Sequence, residues 1–438
     1  MQRTHSEDRR QLEHLAPLFF AFLLKYINWY VALALAVAAI FYGAFVSPLW
    51  GTSRPGEPRI SGKFHYAVAV LFLLLLFRRR IEYAAAVWGV LAVGDSLSNT
   101  LGRRWGKARL PWNPEKSWLG SLIFLVSGMA AFLILFGWFQ GLQTIVASRA
   151  ILLALIVSLG CTLVESLPAL IDDNLLIGFM GAFLVLLGDT VLAGEPRPLG
   201  FWGTALLING ALAALVYLLG LVTLSGAVVG LACGALIYWG AGWRSFLLLF
   251  LFFVWGTAST RVRRARKEAM GIAQENRGRR SARHAVANCL VGSLLSLGAA
   301  FGGDSVLLWK AAILGAFATA VFDTVSTELG QAFGRTPILI PTGKRVPPGT
   351  EGAVSLEGTA LGLLAAVTLA LAAWLSHYLA FEFAMVAVTA ALVATTVESW
   401  IGAGTESRHP MKNELLNFYN TALGAGLAAG ITAWIVGI

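Results

Sequence analysis

The chain has 438 residues, 57% of them hydrophobic and 13% charged, with a formal net charge of +10; soluble domains carry about 25% charged residues. At a mean hydropathy of +0.72 there is more apolar surface than soluble cores can hide, which excludes an ordinary globular enzyme and predicts an all-α polytopic membrane protein. The positive charge is concentrated in loops between apolar runs, so membrane lipid rather than nucleic acid is the expected partner.

Met1–His14 is polar and charged, without the apolar core and small-residue cleavage site of a secretory signal, so the first apolar segment is expected to insert the chain. Apolar runs then occur at 28–46, 65–77 with 81–93, 118–139, 150–164, 175–193, 202–222, 224–239, 243–257, 285–301, 306–322, 355–378, 382–397 and 418–437. They predict roughly a dozen or more transmembrane helices. Helix is required because lipid offers backbone groups no hydrogen-bond partner, and the runs lack the alternation of barrel strands. Arg78-Arg79-Arg80 and Arg103–Arg109 flank one apparent span and so belong on opposite faces; either a segment is re-entrant or one cluster serves a substrate. Cys161, Cys233 and Cys289 lie in apolar runs without zinc or disulfide spacing and read as small packing residues.

Ala193-Gly194-Glu195-Pro196-Arg197-Pro198-Leu199-Gly200 reads as a linker. It sets off a module at 1–194 and another at 203–438, with 195–202 between them. Both halves show acid-ended spans followed by Gly/Lys loops. No residue-by-residue similarity is evident, so two different helical-bundle modules are expected rather than a duplication. In the second half, Arg261–Arg283 is a basic connector, read equally well as a solvated loop on anionic lipid or as a nucleotide contact.

Two constellations carry chemistry. In the first, Asp95 ends a span, Asn99 shares its helical face, and Gly102, Arg103, Gly106 and Lys107 follow, then Asn113, Lys116 and Ser117. An acid at the lipid boundary is costly and rarely idle. Glycine-spaced cations admit phosphate to bare backbone while offsetting its charge. Asp172, Asp173 and Asn174 open a later span, either as a hard-cation site or as a helix cap. In the second constellation, Asn288 stands in an apolar run, Asp323 and Thr327 share a helical face, and Glu328 follows. The loop with Thr342, Gly343, Lys344, Gly349, Thr350, Gly352 and Ser355 could cradle a diphosphate. Glu398 ends another span, and Asn417 and Asn420 open the last, where helix–helix hydrogen bonding is the plainer use of Asn420. The metal candidates are Asp95, Asp172, Asp173, Asp323, Glu328 and Glu398.

Asp95–Ser121, with the later L-P-A-L-I-D-D-N, resembles the phytol kinase and dolichol kinase family, relatives of the phosphatidate cytidylyltransferases; Arg9–His14 and Ile60–Tyr66 resemble its opening segments. That resemblance, over residues 8–192, implies a CTP-dependent kinase of a long isoprenoid alcohol. It would place Asp95, Asn99, Gly102, Arg103, Gly106, Lys107, Asn113, Lys116, Ser117, Gly120 and Ser121 around nucleotide, with Asp172, Asp173 and Asn174 holding Mg²⁺ or activating the hydroxyl. Residues 203–438 resemble the phytyl-phosphate kinase family through A-V-A-N-C (285–289), F-D-T-V-S-T-E-L-G (322–330), T-G-K-R-V-P-P-G-T-E-G-A-V-S (342–355) and N-F-Y-N-T-A-L-G (417–424). Ser281, Cys289 and Glu398 depart from that family's Asp, Gly and Asp. Together the resemblances imply a multi-pass protein of the cytoplasmic membrane with its active-site loops on the cytoplasmic side. It would phosphorylate phytol or a similar prenol to the monophosphate and then to the diphosphate, for isoprenoid salvage. A lipid cytidylyltransferase, or a lipid-phosphate transporter with acids as coupling-ion sites, are the alternatives.

Overall fold

The computed structural model describes residues 16–47, 62–141, 143–144, 147–167, 172–198, 200–274, 278–404 and 412–437. The motif residues Arg9–His14, Ile60–Ser61 and Pro168–Ile171 lie outside the described residues. The chain divides into two compact units, residues 1–192 with 433–438, and residues 193–432. Among the described residues ten helices are long and apolar enough to cross a bilayer, and the fold is that of an all-α integral membrane protein.

Unit 1 consists of α1 (Leu18–Leu23), α2 (Trp29–Phe41, continued by a wider turn at Tyr42–Val46), α3 (Gly62–Leu76), α4, α5 (Trp118–Gln140), α6 (Ser148–Ser166) and α7 (Asp173–Ala193). Helix α4 is composite. Ile81–Gly89 passes through a widened π turn at Val90–Gly94 into Asp95–Trp105. Such turns reset the phase of a helix and recur at functional sites; here Asp95 is the first residue beyond it. Gly94 and Gly128 let Phe124 and Val90 seat closely between α4 and α5, the small-residue packing that membranes favour.

Unit 2 runs α8 (Phe201–Leu218), α9 (Leu224–Ala241), α10 (Trp243–Arg261), the short α11 (Arg264–Ala269), α12 (Ala282–Ala300), α13 (Val306–Phe333), α14 (Leu356–Leu375), α15 (Phe381–Gly404) and α16 (Lys412–Val436). A two-residue antiparallel ladder, β1 (Ile338–Leu339) with β2 (Ala353–Val354), pairs Ile338 with Val354 and Leu339 with Ala353. Helix α13 is the axis: 83% of its span is buried, against 11–44% for the other candidate spans of the unit. Its Ala and Gly residues allow this, since a methyl at Gly315 would meet Ala428 Cβ at 2.6 Å. The expected linker is packed onto this unit, Arg197 N–H donating to Ala300 O at 3.0 Å. The three cysteines are buried and unpaired.

Candidate functional site

In unit 1 the end of α4, the loop 106–117, the end of α6 and the start of α7 bring the charged side chains together. Asp95 is 8% exposed. Its Oδ1 accepts from Asn99 Nδ2 at 2.8 Å, and its backbone carbonyl from Ser98 Oγ at 3.0 Å. The loop folds back on itself, with Leu110 N–H donating to Lys116 O at 3.1 Å and Trp118 N–H to Ala108 O at 3.1 Å. This delivers Lys116 Nζ between Glu165 Oε1 at 2.5 Å and Asp173 Oδ2 at 3.1 Å. Burial opposes the charge on Lys116, but Asp173, Glu165 and Asp95 outweigh it and hold the ammonium above its ordinary range. Glu165 is 2% exposed, and its Oε2 has no hydrogen-bond partner among the described residues. It faces a cleft that Asn99, Gly102, Arg103 and Ser117 also line, with room for about 10 Å³, roughly one water. A nucleotide there would have to lift the loop.

Asn113 shapes the loop, its Oδ1 accepting from Glu115 N–H at 3.2 Å. Asp172 is the helix cap, accepting from Asn174 N–H at 3.0 Å and Asn174 Nδ2 at 2.7 Å, with His65 Nδ1 3.5 Å away. Burial would raise its pKa, yet His65 and Asn174 hold the carboxyl below the usual carboxylate range. Asp172 thus positions Asp173 rather than joining Lys116.

A second ionic cluster occupies the other end of the same helices. Asp189 accepts from Arg80 Nη1 at 2.6 Å, Arg149 Nη2 at 2.8 Å and Tyr83 Oη at 2.6 Å. Arg80 and Asp95, Arg149 and Glu165, and Asp189 and Asp173 are each separated by about 15 residues, roughly 23 Å of helix. Arg80 and the Arg103 loop therefore lie at opposite ends of one continuous helix, and neither a re-entrant segment nor a substrate is needed to explain Arg80. Asp189 escaped sequence reasoning because it lies inside an apolar run. Asp189→Asn leaves Arg149 without its counter-charge and Arg80 with only Glu82, 3.6 Å from its Nε, and is expected to lower stability by about 2 kcal/mol, read as thermal unfolding in detergent.

In unit 2, Asp323 on α13 and Glu398 on α15 share a hydrogen bond, and Thr327 bonds Asp323 from one turn on. Glu328 points elsewhere, into a buried ion pair with Lys267 of α11. Most of the basic connector is solvated, Arg261, Arg263, Arg266, Arg279 and Arg283 being exposed, but Lys267 is 1% exposed and Arg280 8%. Thr342, Gly343 and Lys344 form an exposed hairpin tip, where Gly343 takes φ +64° and donates to Leu339 O at 2.8 Å. Its glycine serves the turn. Gly349 (φ +88°) and Gly352 (φ +69°) are also turn positions, seated on Ile272 and Ala403, and Thr350 Oγ1 donates to Pro347 O at 2.8 Å. Asn288 Oδ1 and both amide atoms of Asn420 are buried without partners among the described residues, so among these residues Asn420 makes no helix–helix hydrogen bond. Buried polar atoms left unpaired ask for a ligand. Asn417 lies half-buried at the start of α16.

The two units do share residue-by-residue similarity, which the sequence reading missed. Asp95, Ser98, Leu101, Gly102, Trp105, Gly106 and Lys107 correspond in spacing to Asp323, Ser326, Leu329, Gly330, Phe333, Gly334 and Arg335. Ser117 and Gly120 correspond to Ser355 and Gly358, and Val164-Glu165-Ser166 to Val397-Glu398-Ser399. The geometry repeats too: Ser98 and Ser326 each donate to the carbonyl of their Asp at 3.0 Å. Ser117 and Ser355 each cap the next helix, accepting from Gly120 and Gly358 N–H at 3.1 Å. Among the described residues no three or more His, Cys, Asp or Glu side chains are placed to hold a metal. A carboxylate pair such as Asp323 with Glu398 suits instead Mg²⁺, which keeps waters and takes further ligands from phosphate.

The sequence model described as integral membrane protein DUF92 matches residues 207–425. An uncharacterized membrane protein of Synechocystis sp. is 37% identical over 236 residues, 53% of this chain and 92% of that protein. The chloroplastic protein VTE6 of Arabidopsis thaliana is 38% identical over 210 residues, 47% of this chain and 63% of that one. The probable chloroplastic phytol kinase of Zea mays is 28% identical over 161 residues, 36% of this chain and 53% of the relative. The chain thus spans less than two thirds of both plant relatives. No solved structure matches it. With the family match taking in half of the chain and the cyanobacterial relative covered almost end to end, the chain belongs to the DUF92 family of integral membrane proteins.

Proposed function

We propose that this protein is a membrane kinase of isoprenoid alcohols and their monophosphates. Unit 1 converts phytol or a similar prenol to the monophosphate, and unit 2 adds a second phosphate to give the prenyl diphosphate. The observation that supports this best is a helix acid, Asp95 or Asp323, followed by a glycine-rich, basic helix end, with a second carboxylate, Glu165 or Glu398, interacting with it in the same unit, in a chain with relatives named probable phytol kinase. CTP is the proposed donor, from the likeness of Asp95–Ser121 to phytol and dolichol kinases; the second step's nucleotide is left open.

Phosphoryl transfer needs positioning and charge compensation more than covalent chemistry. Lys116 and Arg103 would offset the phosphate charge in unit 1. Asp95, Glu165 or Asp173 would take the acceptor's hydroxyl proton; Asp95 and Glu165 are buried and Asp173 half-buried, at helix ends where a prenol head group would arrive. Mg²⁺ entering with the nucleotide would supply charge compensation for the phosphates. In unit 2, Asp323 with Glu398 would hold that cation, and the buried amides of Asn288 and Asn420 would bind polar substrate atoms. The acceptor's tail needs no dedicated tunnel, since the surrounding lipid is already apolar. The positive-inside preference supports a cytoplasmic orientation of the basic loops beside both sites.

Purified protein, Mg²⁺, phytol and CTP labelled in either the γ-phosphate or the base test the proposal. γ-Label in phytyl monophosphate and then diphosphate is expected. Base label in the lipid would identify a cytidylyltransferase, and phytol binding without any product a transporter.

A further inference from the structure

The repeated motif bears on where unit 2 takes its donor phosphates. In both units the second helix end is forced against the first by glycine. A methyl on Gly102 would come 2.9 Å from Gly120 Cα, and one on Gly358 would come 2.9 Å from Gly330 Cα. The capping serine sits against both: added methyls at Gly102 and Gly120 would each lie 3.2 Å from Ser117 Oγ, and at Gly330 and Gly358 3.1 and 3.0 Å from Ser355 Oγ. Close helix packing alone explains the glycines. It does not explain why each assembly ends in a cation after the second glycine, Lys107 or Arg335, or why each unit has a polar cleft near this helix end.

The cleft of unit 1 is lined by Glu165, whose Oε2 has no partner among the described residues. That of unit 2 is far larger, about 800 Å³, and is lined by Arg263, Arg266, Arg335, Gly334 and Glu357. Arg263 and Arg266 each donate one hydrogen bond to Ala332 O, at 3.1 and 3.3 Å. A guanidinium carries five N–H donors, so both keep donors for the cleft. Arg263 is held in the left-handed conformation, φ 48° and ψ 35°, a strained state for a residue with a side chain and one that recurs at ligand clamps. Three arginines against one glutamate leave the cleft a net cation, and its volume lies in the range of small-molecule sites.

We infer that unit 2 binds the phosphate chain of a nucleoside triphosphate across Gly334, Arg335, Arg263 and Arg266, at the helix end that corresponds to Gly106-Lys107 of unit 1, and not on the Thr342–Lys344 hairpin. The inference rests on the kinase reading above. Arginine suits the task because its planar fork matches phosphate oxygens in pairs.

Equilibrium binding of radiolabelled CTP with Mg²⁺ to the full chain in detergent tests it. Two equivalents per chain are expected. Arg335 is exposed, so Arg335→Gln spares the fold; it should weaken one equivalent about tenfold or more, the loss of a charged hydrogen bond. Lys107→Gln should weaken the other. Lys344→Gln should change neither. Full affinity for both equivalents in Arg335→Gln, or loss of one in Lys344→Gln, overturns the inference and leaves the kinase reading intact. So does an Arg335→Gln protein that binds CTP normally but has lost phytyl phosphate, which would make the cleft an acceptor site. No CTP bound by the unaltered protein sinks the kinase reading itself.

Discussion

Asp95→Asn is expected to stop formation of the prenyl monophosphate while supplied phytyl phosphate is still extended, and Asp323→Asn to let the monophosphate accumulate. Each amide keeps the size of the side chain. Asn at 323 can still hydrogen bond Glu398, and Asn at 95 can still accept from Asn99. What disappears is the negative charge and the capacity to take a proton. Removing a positioned general base costs roughly 10²–10⁴-fold in rate, and losing a cation ligand adds to that. The assay follows labelled product from phytol and, in parallel, from phytyl phosphate. If each variant loses both steps, the division of labour between the units is wrong; if neither loses any, the acids are not catalytic.

The membrane character was legible because burying apolar surface in lipid leaves long uninterrupted runs, and those runs became helices. The acids at span ends were legible because charge at that depth is rare. Three kinds of information were not. Lys116 finds Glu165 and Asp173 only through the fold, 49 and 57 positions away, so Glu165 did not stand out as a site residue. Asp172 looks like a ligand in sequence, but the start of a helix also needs a cap, and only geometry separates the two uses. The repeat was hidden by its spacing. Ser117 follows Gly106 closely while Ser355 lies beyond a hairpin from Gly334, and Arg103-Arg104 is replaced by Gln331-Ala332. Spacing within the helix was conserved between the units because a one-residue shift would turn the glycines away from the capping serine. The loop between helix ends carries no such constraint. Two V-E-S triplets and two D-x-x-S-x-x-L-G segments were the available signal.

Glu328→Gln should destabilise unit 2 more than Lys267→Met does. Lys267 and Glu328 are 1% and 4% exposed as side chains, so neither charge can turn to water when its partner is lost. Lys267 also donates to Thr260 O at 3.0 Å and Ser259 O at 3.3 Å, tying α11 to the end of α10. Breaking a buried pair from one side costs about 3–5 kcal/mol. The two sides differ because Arg280, also buried, interacts electrostatically with Glu328 and has Nε and Nη2 unpartnered among the described residues. Removing the lysine leaves Glu328 facing one cation, still compensated. Removing the glutamate charge leaves Lys267 and Arg280 as two buried cations with no anion between them. Denaturant unfolding in detergent should therefore rank the variants unaltered, Lys267→Met, Glu328→Gln in falling stability. The double change Lys267→Met with Glu328→Leu should lie above Glu328→Gln, since it removes one of the two stranded cations. Equal losses in the two single variants would show that Arg280 does not share the glutamate.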